Sequence, residues 1–586
     1  MPDQSQTQPF SFACQGGLVL NQPTFNMQPG QALELENFEP DIDGGYRRID
    51  GFQRYVRQIV PQTSSSSEEV LMVVNFANKI VAARGEKIFS SASTELATAI
   101  ASGTGMTGSG TITVDSTTGF SSSGTLQIDS EIFTYTGVTS TTFTGVTRAT
   151  SSTSAADHAV NAVVSESWTE RDTGRSSAAR YNFERFNFDG NDKLVVVDGD
   201  NNPTFFNSAM SATDITSAGS GEVSTAVTGA KFVAVFKDHM FYAGMSSTPQ
   251  EIVFSVPFDE DNFATGSGAG SIKVDDTITG LKVFRDNLFV FCKNRIFKLS
   301  GTSSSNFAMT PVTRNIGCID KHGSTIQEFA GDLIFLGPDG LRTVAGTARI
   351  GDVEIGTISK SIQSLIDANI QNADLFNSIV IPDKTQYRLF FNNTGSTLSD
   401  VEENTIGVIC VLKGQNFEFA KLRGIKPSST DTVVISGDVI AIHGGFDGYV
   451  YRQEKGNDFD GSAINGKYRS PDLTFGDPGI RKHMQRVILN YAPEAAISAD
   501  LFLRYDYESA EGARPSAYPF DSTKVVAQYG TATYGVATYG GATQPLVRQS
   551  VEGSGFALAL RVNDSGATAP YSLKGFGLEY QVGARR

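Results

Sequence analysis

The residues best able to do chemistry in this chain are few, and they do not converge on one motif. Five histidines, at 158, 239, 322, 443 and 483, lack the spacing that sets two imidazoles on one helix face to hold zinc. Gly103-Thr-Gly-Met-Thr-Gly108 matches a phosphate-binding G-x-G-x-x-G. A strand-like Thr-Ile-Thr-Val follows it soon after, where that motif needs a helix N-terminus to face the phosphate. No G-x-x-x-x-G-K-S/T, H-E-x-x-H or G-x-S-x-G occurs. Asp198-Gly-Asp-Asn-Asn202 and Asp458-Phe-Asp-Gly461 resemble pieces of calcium loops but lack the bidentate Glu at the twelfth position. Both read as turns, and Asp259-Glu-Asp261 reads as a solvated acidic turn. A glycosidase would need two carboxylates flanking a sugar. Acids are plentiful, but Trp168 is the one tryptophan that could form a sugar platform, and the S-x-D-x-G-x-T-W box is missing. Cys14, Cys292, Cys318 and Cys410 lie far apart without a C-x-x-C pair, which predicts buried free thiols. The expectation is no catalytic, cofactor-binding or metal-binding residue, and no enzyme.

Composition narrows the class further. The 586 residues carry 47 Lys and Arg against 63 Asp and Glu, a net charge of −16. A protein that grips DNA clusters its cations against phosphates, and no such cluster stands out along the sequence. The same balance suits a wall past which DNA must slide without sticking. No apolar run approaches the ~18 residues of a transmembrane helix. The opening Met1-Pro-Asp-Gln-Ser-Gln-Thr-Gln lacks the basic head and apolar stretch of a secretory signal, so export by that route is not expected. The N-x-S/T matches at Asn392 and Asn563 carry little weight without it.

The elements that must position these residues follow a repeat. Two apolar runs flank a tight turn of Asn, Asp or Gly, as in Val74-Asn-Phe-Ala-Asn-Lys-Ile-Val-Ala-Ala-Arg-Gly85 and Val283-Phe-Arg-Asp-Asn-Leu-Phe-Val-Phe-Cys292. The residues just before the second run are Lys79, Lys193, His239, Asn287, Asp332, Gln386 and Asp438. Once a stretch near 104–165 is set aside, they recur about every 45–54 residues, the length of a propeller blade. Each unit is a hairpin that cannot bury its own apolar face, so a ring must. The expectation is an all-β fold, a β-propeller of six to eight blades. Its segments would be 61–103 and 166–465.

Residues 104–165 are rich in Gly, Ser and Thr, yet Leu126-Gln-Ile-Asp-Ser-Glu-Ile-Phe-Thr-Tyr-Thr-Gly137 alternates as strands do. They predict a small β-domain inserted in the first blades. A helix is predicted over about 360–377, capped by Ser359, with Ile362, Leu365, Ile366 and Ile370 on one face. From 466 to 586 longer alternating strands, such as Ala499-Asp-Leu-Phe-Leu-Arg-Tyr-Asp-Tyr-Glu508, predict a separate antiparallel β-sandwich. Tyr529, Tyr534 and Tyr539 mark a tyrosine-rich loop within it.

Several stretches resemble the tail nozzle proteins of short-tailed bacteriophages, called tail tubular protein B in one branch, and the related packaged-DNA stabilisation proteins. They include Gly16-Gly-Leu-Val-Leu-Asn-Gln-Pro23, Leu33-Glu-Leu-Glu-Asn-Phe-Glu-Pro40 and Gly44-Gly-Tyr-Arg-Arg-Ile-Asp-Gly-Phe52. Asp276–Phe291, Gly317-Cys-Ile-Asp320, Gly337-Pro-Asp-Gly-Leu-Arg342, Gly351-Asp-Val-Glu354 and Ile358-Ser-Lys-Ser-Ile362 add to it, as does the terminal Gly583-Ala-Arg-Arg586. Gly119-Phe-Ser-Ser-Ser-Gly124 with Tyr135-Thr-Gly137 is similar to a small module of phage structural proteins. The resemblance implies a structural virion protein of the viral tail, made in the host cytoplasm. It would form a homohexamer below the head–tail adaptor, retain the packaged genome and pass double-stranded DNA during ejection. Residues 1–60 would contact the adaptor or the propeller, and tail fibres or tailspikes would bind outside. The lining of the DNA channel is not legible. A glycan-binding or glycan-cleaving propeller that recognises a host receptor is the alternative.

Overall fold

The computed structural model describes residues 7–62, 69–216, 222–223, 225–345, 357–392, 405–435, 438–494, 498–507, 516–521 and 546–585. Seven hairpins stand around one axis. Their first strands, Met72–Phe76, Asn182–Phe186, Phe232–Phe236, Ile278–Phe284, Gln327–Phe329, Asn377–Ile381 and Pro427–Ile435, all reach the wall of a single central cavity. Each second strand begins at the residue the repeat singles out: Lys79, Lys193, His239, Asn287, Asp332, Gln386 and Asp438. Six hairpins extend into separate sheets of three or four strands, the blades of a propeller. The seventh position is filled by the first four strands of a longer sheet.

Apolar residues sealed between adjacent blades hold the ring. Val195 and Val197 of one blade pack with Met240, Tyr242 and Val253 of the next, and Phe232 and Phe241 pack with Leu288 and Val290. The hairpin turns explain the Asn and Asp in the repeat. Ala77 and Asn78, Lys237 and Asp238, and Arg285 and Asp286 all have positive φ, the backbone of a turn whose twist matches the strands it joins. Neighbouring turns also touch: Lys237 lies 3.3 Å from Asp286, and Arg285 donates to the Gly331 carbonyl.

A strand from before the first blade closes the ring. Phe52–Arg54 pairs with Val450–Gln453 as the fourth strand of the last blade. Gly51, within the nozzle-like stretch, makes this approach possible, since a Cβ there would lie 1.8 Å from the Asp458 carbonyl oxygen. Gly51→Ala is therefore expected to destabilise the protein by about 1–3 kcal/mol, the cost of forced backbone shifts. A lower urea midpoint with an unchanged slope would register it.

The chain leaves the first blade between its neighbouring strands Lys87–Ser91 and Thr169–Thr173 and builds a seven-stranded sheet. That sheet runs from Ser93–Glu95 to Val163–Glu166, wider than the shift in composition, because Leu96 and Ile100 belong to its core with Phe133, Tyr135 and Phe143.

Two larger sheets face each other beside the ring. The nine-stranded sheet runs in the order Asn377–Ile381, Gln386–Phe391, Ile406–Lys413, Asn416–Leu422, Glu34–Glu36, Gly466–Arg469, Leu558–Asp564, Ser498–Tyr505, Tyr518–Asp521. The other holds Phe38–Pro40, Tyr46–Arg48, Tyr571–Arg585, Ile480–Pro493 and Leu546–Ser550, with Thr7–Ala13 also on Tyr571–Arg585. Tyr468 stacks on Phe576 between them at 5.6 Å, among Leu501, Leu560 and Val562. The boundaries drawn from sequence at 60 and 466 thus fall between strands that share sheets. Glu34–Glu36 joins the ring side to the C-terminal side, pairing in parallel with Lys421 and antiparallel with Gly466–Arg469.

The helical stretch is shorter than its periodicity suggests. One α-helix, Gln363–Asn369, lies between 3-10 turns Lys360–Ile362 and Ile370–Leu375. Ile362 and Ile366 are buried as expected. Ser359 does not cap the helix with its side chain; its hydroxyl accepts the Leu341 N–H instead. The tyrosine-rich loop and Gly351-Asp-Val-Glu354 lie outside the described residues.

Candidate functional site

Two cavities and one ionic cluster lie where the elements meet. The ring's central cavity encloses about 490 Å³. Asp431 ties three of its strands together, accepting the Asn75 N–H at 2.9 Å and pairing with Arg185, which donates to the Asn75 carbonyl at 2.8 Å. Burial raises the Asp431 carboxyl above its ordinary range, with Arg185 acting against it. Burial also raises Glu184, opposed by Lys282 and Arg185. The cavity is far too small for a duplex whose major groove alone is about 12 Å wide, so a DNA path cannot run through one ring.

A groove of about 880 Å³ opens where the last blade meets the nine-stranded sheet. Tyr451, Phe459 and Asp460 line one side, and Glu36, Lys467 and Asn563 line the other. His443 forms part of its wall. It is buried, stacked on Tyr451 at 5.1 Å and edge-on to Phe52 at 5.3 Å, with Gln453 Nε2 3.3 Å from its Nδ1. Burial pushes the imidazole down to about 3. The unfolded chain would take up this proton near 6.5, so His443 withdraws stability as pH falls from about 6.5 to about 3. Urea midpoints measured across that range should fall less steeply for His443→Gln than for the natural chain.

Beneath the groove lies an ionic cluster joining the N-terminal segment, the ring and the sandwich. Arg388 is fully buried and meets Glu454 at 2.6 Å and Glu39 at 3.5 Å. Lys384 meets Glu39 at 2.8 Å and Asp50 at 2.7 Å. Arg47 bridges Asp50 at 2.8 Å and Glu494 at 2.7 Å. Burial alone would raise the Glu39 carboxyl, but Lys384 and Arg388 hold it below its usual range. Arg47 and Lys384 do the same for Asp50. The sequence reading passed over this cluster. The signal was the charge-dense run from Glu39 to Asp50, in which Arg47 and Asp50 are spaced closely enough to pair.

The candidates singled out from sequence are scattered, and most have a local partner. Asp198 accepts the N–H groups of Asp200 and Asn201, and Asp458 accepts that of Gly461, as in Asx turns. The acidic turn at 259–261 is only partly solvated, because Glu260 is buried against Lys193 at 2.6 Å. Gly103 and Gly105 face open space ahead of the strand Thr107–Thr113. Trp168 donates its Nε1–H to the Gln58 carbonyl. His158 lies between Asp129 and Glu131 at 2.8 and 2.9 Å in the inserted sheet; His239 bonds the Ser255 carbonyl; His483 is exposed. All four cysteines are free and buried, and burial pushes the Cys14 and Cys318 thiols up to about 12. Among the described residues no group of three or more His, Cys, Asp or Glu is placed to hold a metal ion, and no helix is long and apolar enough to cross a membrane.

No family model and no curated protein matches the chain. Solved structures similar to it include BamB from Moraxella catarrhalis, at 10% identity and a TM-score of 0.29, covering 67% of this chain and 96% of that one. The Pan2 WD40 domain of Neurospora crassa matches at 8% identity and a TM-score of 0.26, over 62% and 90%. Raptor from Chaetomium thermophilum matches at 7% and 0.29; the match covers 69% of this chain but 29% of Raptor. Likeness at this level carries no argument about function. The propeller is read from its own strand order.

Proposed function

We propose that this chain is the structural subunit of a tail nozzle of a short-tailed bacteriophage. Six copies would form a tube that retains the packaged genome and conducts duplex DNA outward on ejection. The observation that supports this best lies in residues 16–52. This stretch resembles the nozzle family, and its strands serve both larger sheets and the last blade. A chain built so that one segment locks ring to sandwich makes a stiff wall element rather than a hinged one. The DNA path runs between copies, since one ring's cavity is too small to hold it. A net charge of −16 suits a lumen that must release polyanionic DNA. The head–tail adaptor and the tail fibres or tailspikes are the proposed partners, and the virion tail is the proposed location.

Electron microscopy and light scattering of the purified chain test this. Rings of six-fold symmetry, at six times the 62.7 kDa chain mass, are the expected result. A monomer that binds saccharides would contradict it and favour the glycan-recognition alternative.

A further inference from the structure

The outward face of the nine-stranded sheet differs from the rest of this acidic molecule. Leu35, Tyr468, Val562 and Leu501 point inward to the core, so their neighbours along each strand point out. Register sets those neighbours in rows. Lys421, Glu36, Lys467, Asn563 and Asp500 are successive partners across five strands. Glu34, Arg469, Arg561 and Phe502 form the next row. Three cations share the single buried carboxylate of Glu36: Lys421 at 3.1 Å, Arg423 at 3.4 Å and Lys467 at 3.6 Å. Arg469 and Arg561 stand directly opposite each other, a like-charge pairing that weakens a sheet unless something offsets it. Neither Nε has a hydrogen-bond partner, and the nearest acid, Glu34, is 3.6 Å from Arg561. Arg423 and Lys467 are 47% and 36% exposed. With Arg423 counted, five cations stand along these rows with three acids, and Asp447 and Asp460 face them across the groove, while acids exceed bases by 16 over the whole chain.

We propose that this face is the surface on which a second copy of the chain docks, its carboxylates meeting Arg423, Lys467, Arg469 and Arg561. The proposal rests on the six-copy reading above and deepens it. A basic patch on one side of an otherwise acidic subunit cannot be self-complementary. It pairs with a different surface of its neighbour, and such head-to-tail contacts close into rings when the rotation permits. Charge complementarity of this kind sets register and excludes wrong partners.

The test compares assembly of the natural chain, Arg423→Glu and Lys293→Glu by light scattering. Lys293 is an exposed ring residue, so the two variants change charge equally. Arg423→Glu is expected to raise the concentration for half-assembly at least tenfold, about 1.4 kcal/mol, while Lys293→Glu assembles like the natural chain. Raising salt from about 50 to about 500 mM should weaken natural assembly, since exposed pairs are screened. Should Arg423→Glu melt early, Lys467→Gln and the salt series carry the test. Rings that ignore both Arg423→Glu and salt would overturn this surface and leave the six-copy reading intact. A natural chain that stays monomeric at every salt concentration would overturn both.

Discussion

Arg388→Ala is expected to cost about 3–5 kcal/mol, because removing one partner of a buried pair strands the other charges. Arg388 is fully buried between Glu39 and Glu454, and it also donates to Gln386 Oε1 at 2.9 Å and Gln453 Oε1 at 3.1 Å. Alanine would leave two carboxylates with Lys384 as their main cation and empty a guanidinium-sized space. Arg388→Lys should recover only part of the loss, since one ammonium cannot span a carboxylate on each side and two amide oxygens. A thermal midpoint lowered by roughly 3 °C, as scaling from ΔΔG suggests for a chain of 586 residues, is the expected reading. An unchanged midpoint would mean that the cluster does not hold ring to sandwich.

Arg148→Ala should act on the inserted sheet alone. Arg148 forms a two-pronged pair with Glu131 at 2.8 and 2.7 Å, and it donates to the carbonyls of Ala101, Thr104 and Ala156. Both side chains are almost wholly buried. The insert has its own core of Leu126, Ile128, Phe133 and Phe143, so it can open without the ring. Loss of about 3–5 kcal/mol should appear as hydrogen exchange that quickens in 93–166 and stays unchanged in the blades. Burial opposes ionisation of Glu131, but Arg148 and its hydrogen bonds hold its carboxyl down to about 2. The natural insert should accordingly lose stability as pH falls from about 4.5 to about 2, and the variant should lose less over that window. Uniform quickening across the chain would show instead that insert and ring unfold together.

The hairpins were legible because their signals are local. Asn78, Asp238 and Asp286 take left-handed turn conformations, and the apolar run after each turn is the strand that faces two neighbouring blades. What spans the chain was not legible. Nothing near Glu34-Leu-Glu36 says that it lies between Asn416–Leu422 and Gly466–Arg469, since pairing across several hundred residues leaves no mark on composition. The cationic face escaped for the same reason: Lys421, Lys467 and Arg561 are far apart in sequence and become neighbours only through register. Ser359 carried a genuine helix-start signal, but the strand end at Leu341 takes its hydroxyl. Asp259-Glu-Asp261 looked uniformly solvated because sequence could not place Lys193 beside Glu260.

Electron microscopy of particles from the native source, with this protein labelled, tests the nozzle most directly. Six labelled copies ringing an axial channel below the adaptor are the predicted result. Label on peripheral fibres, or on no virion at all, would contradict the account.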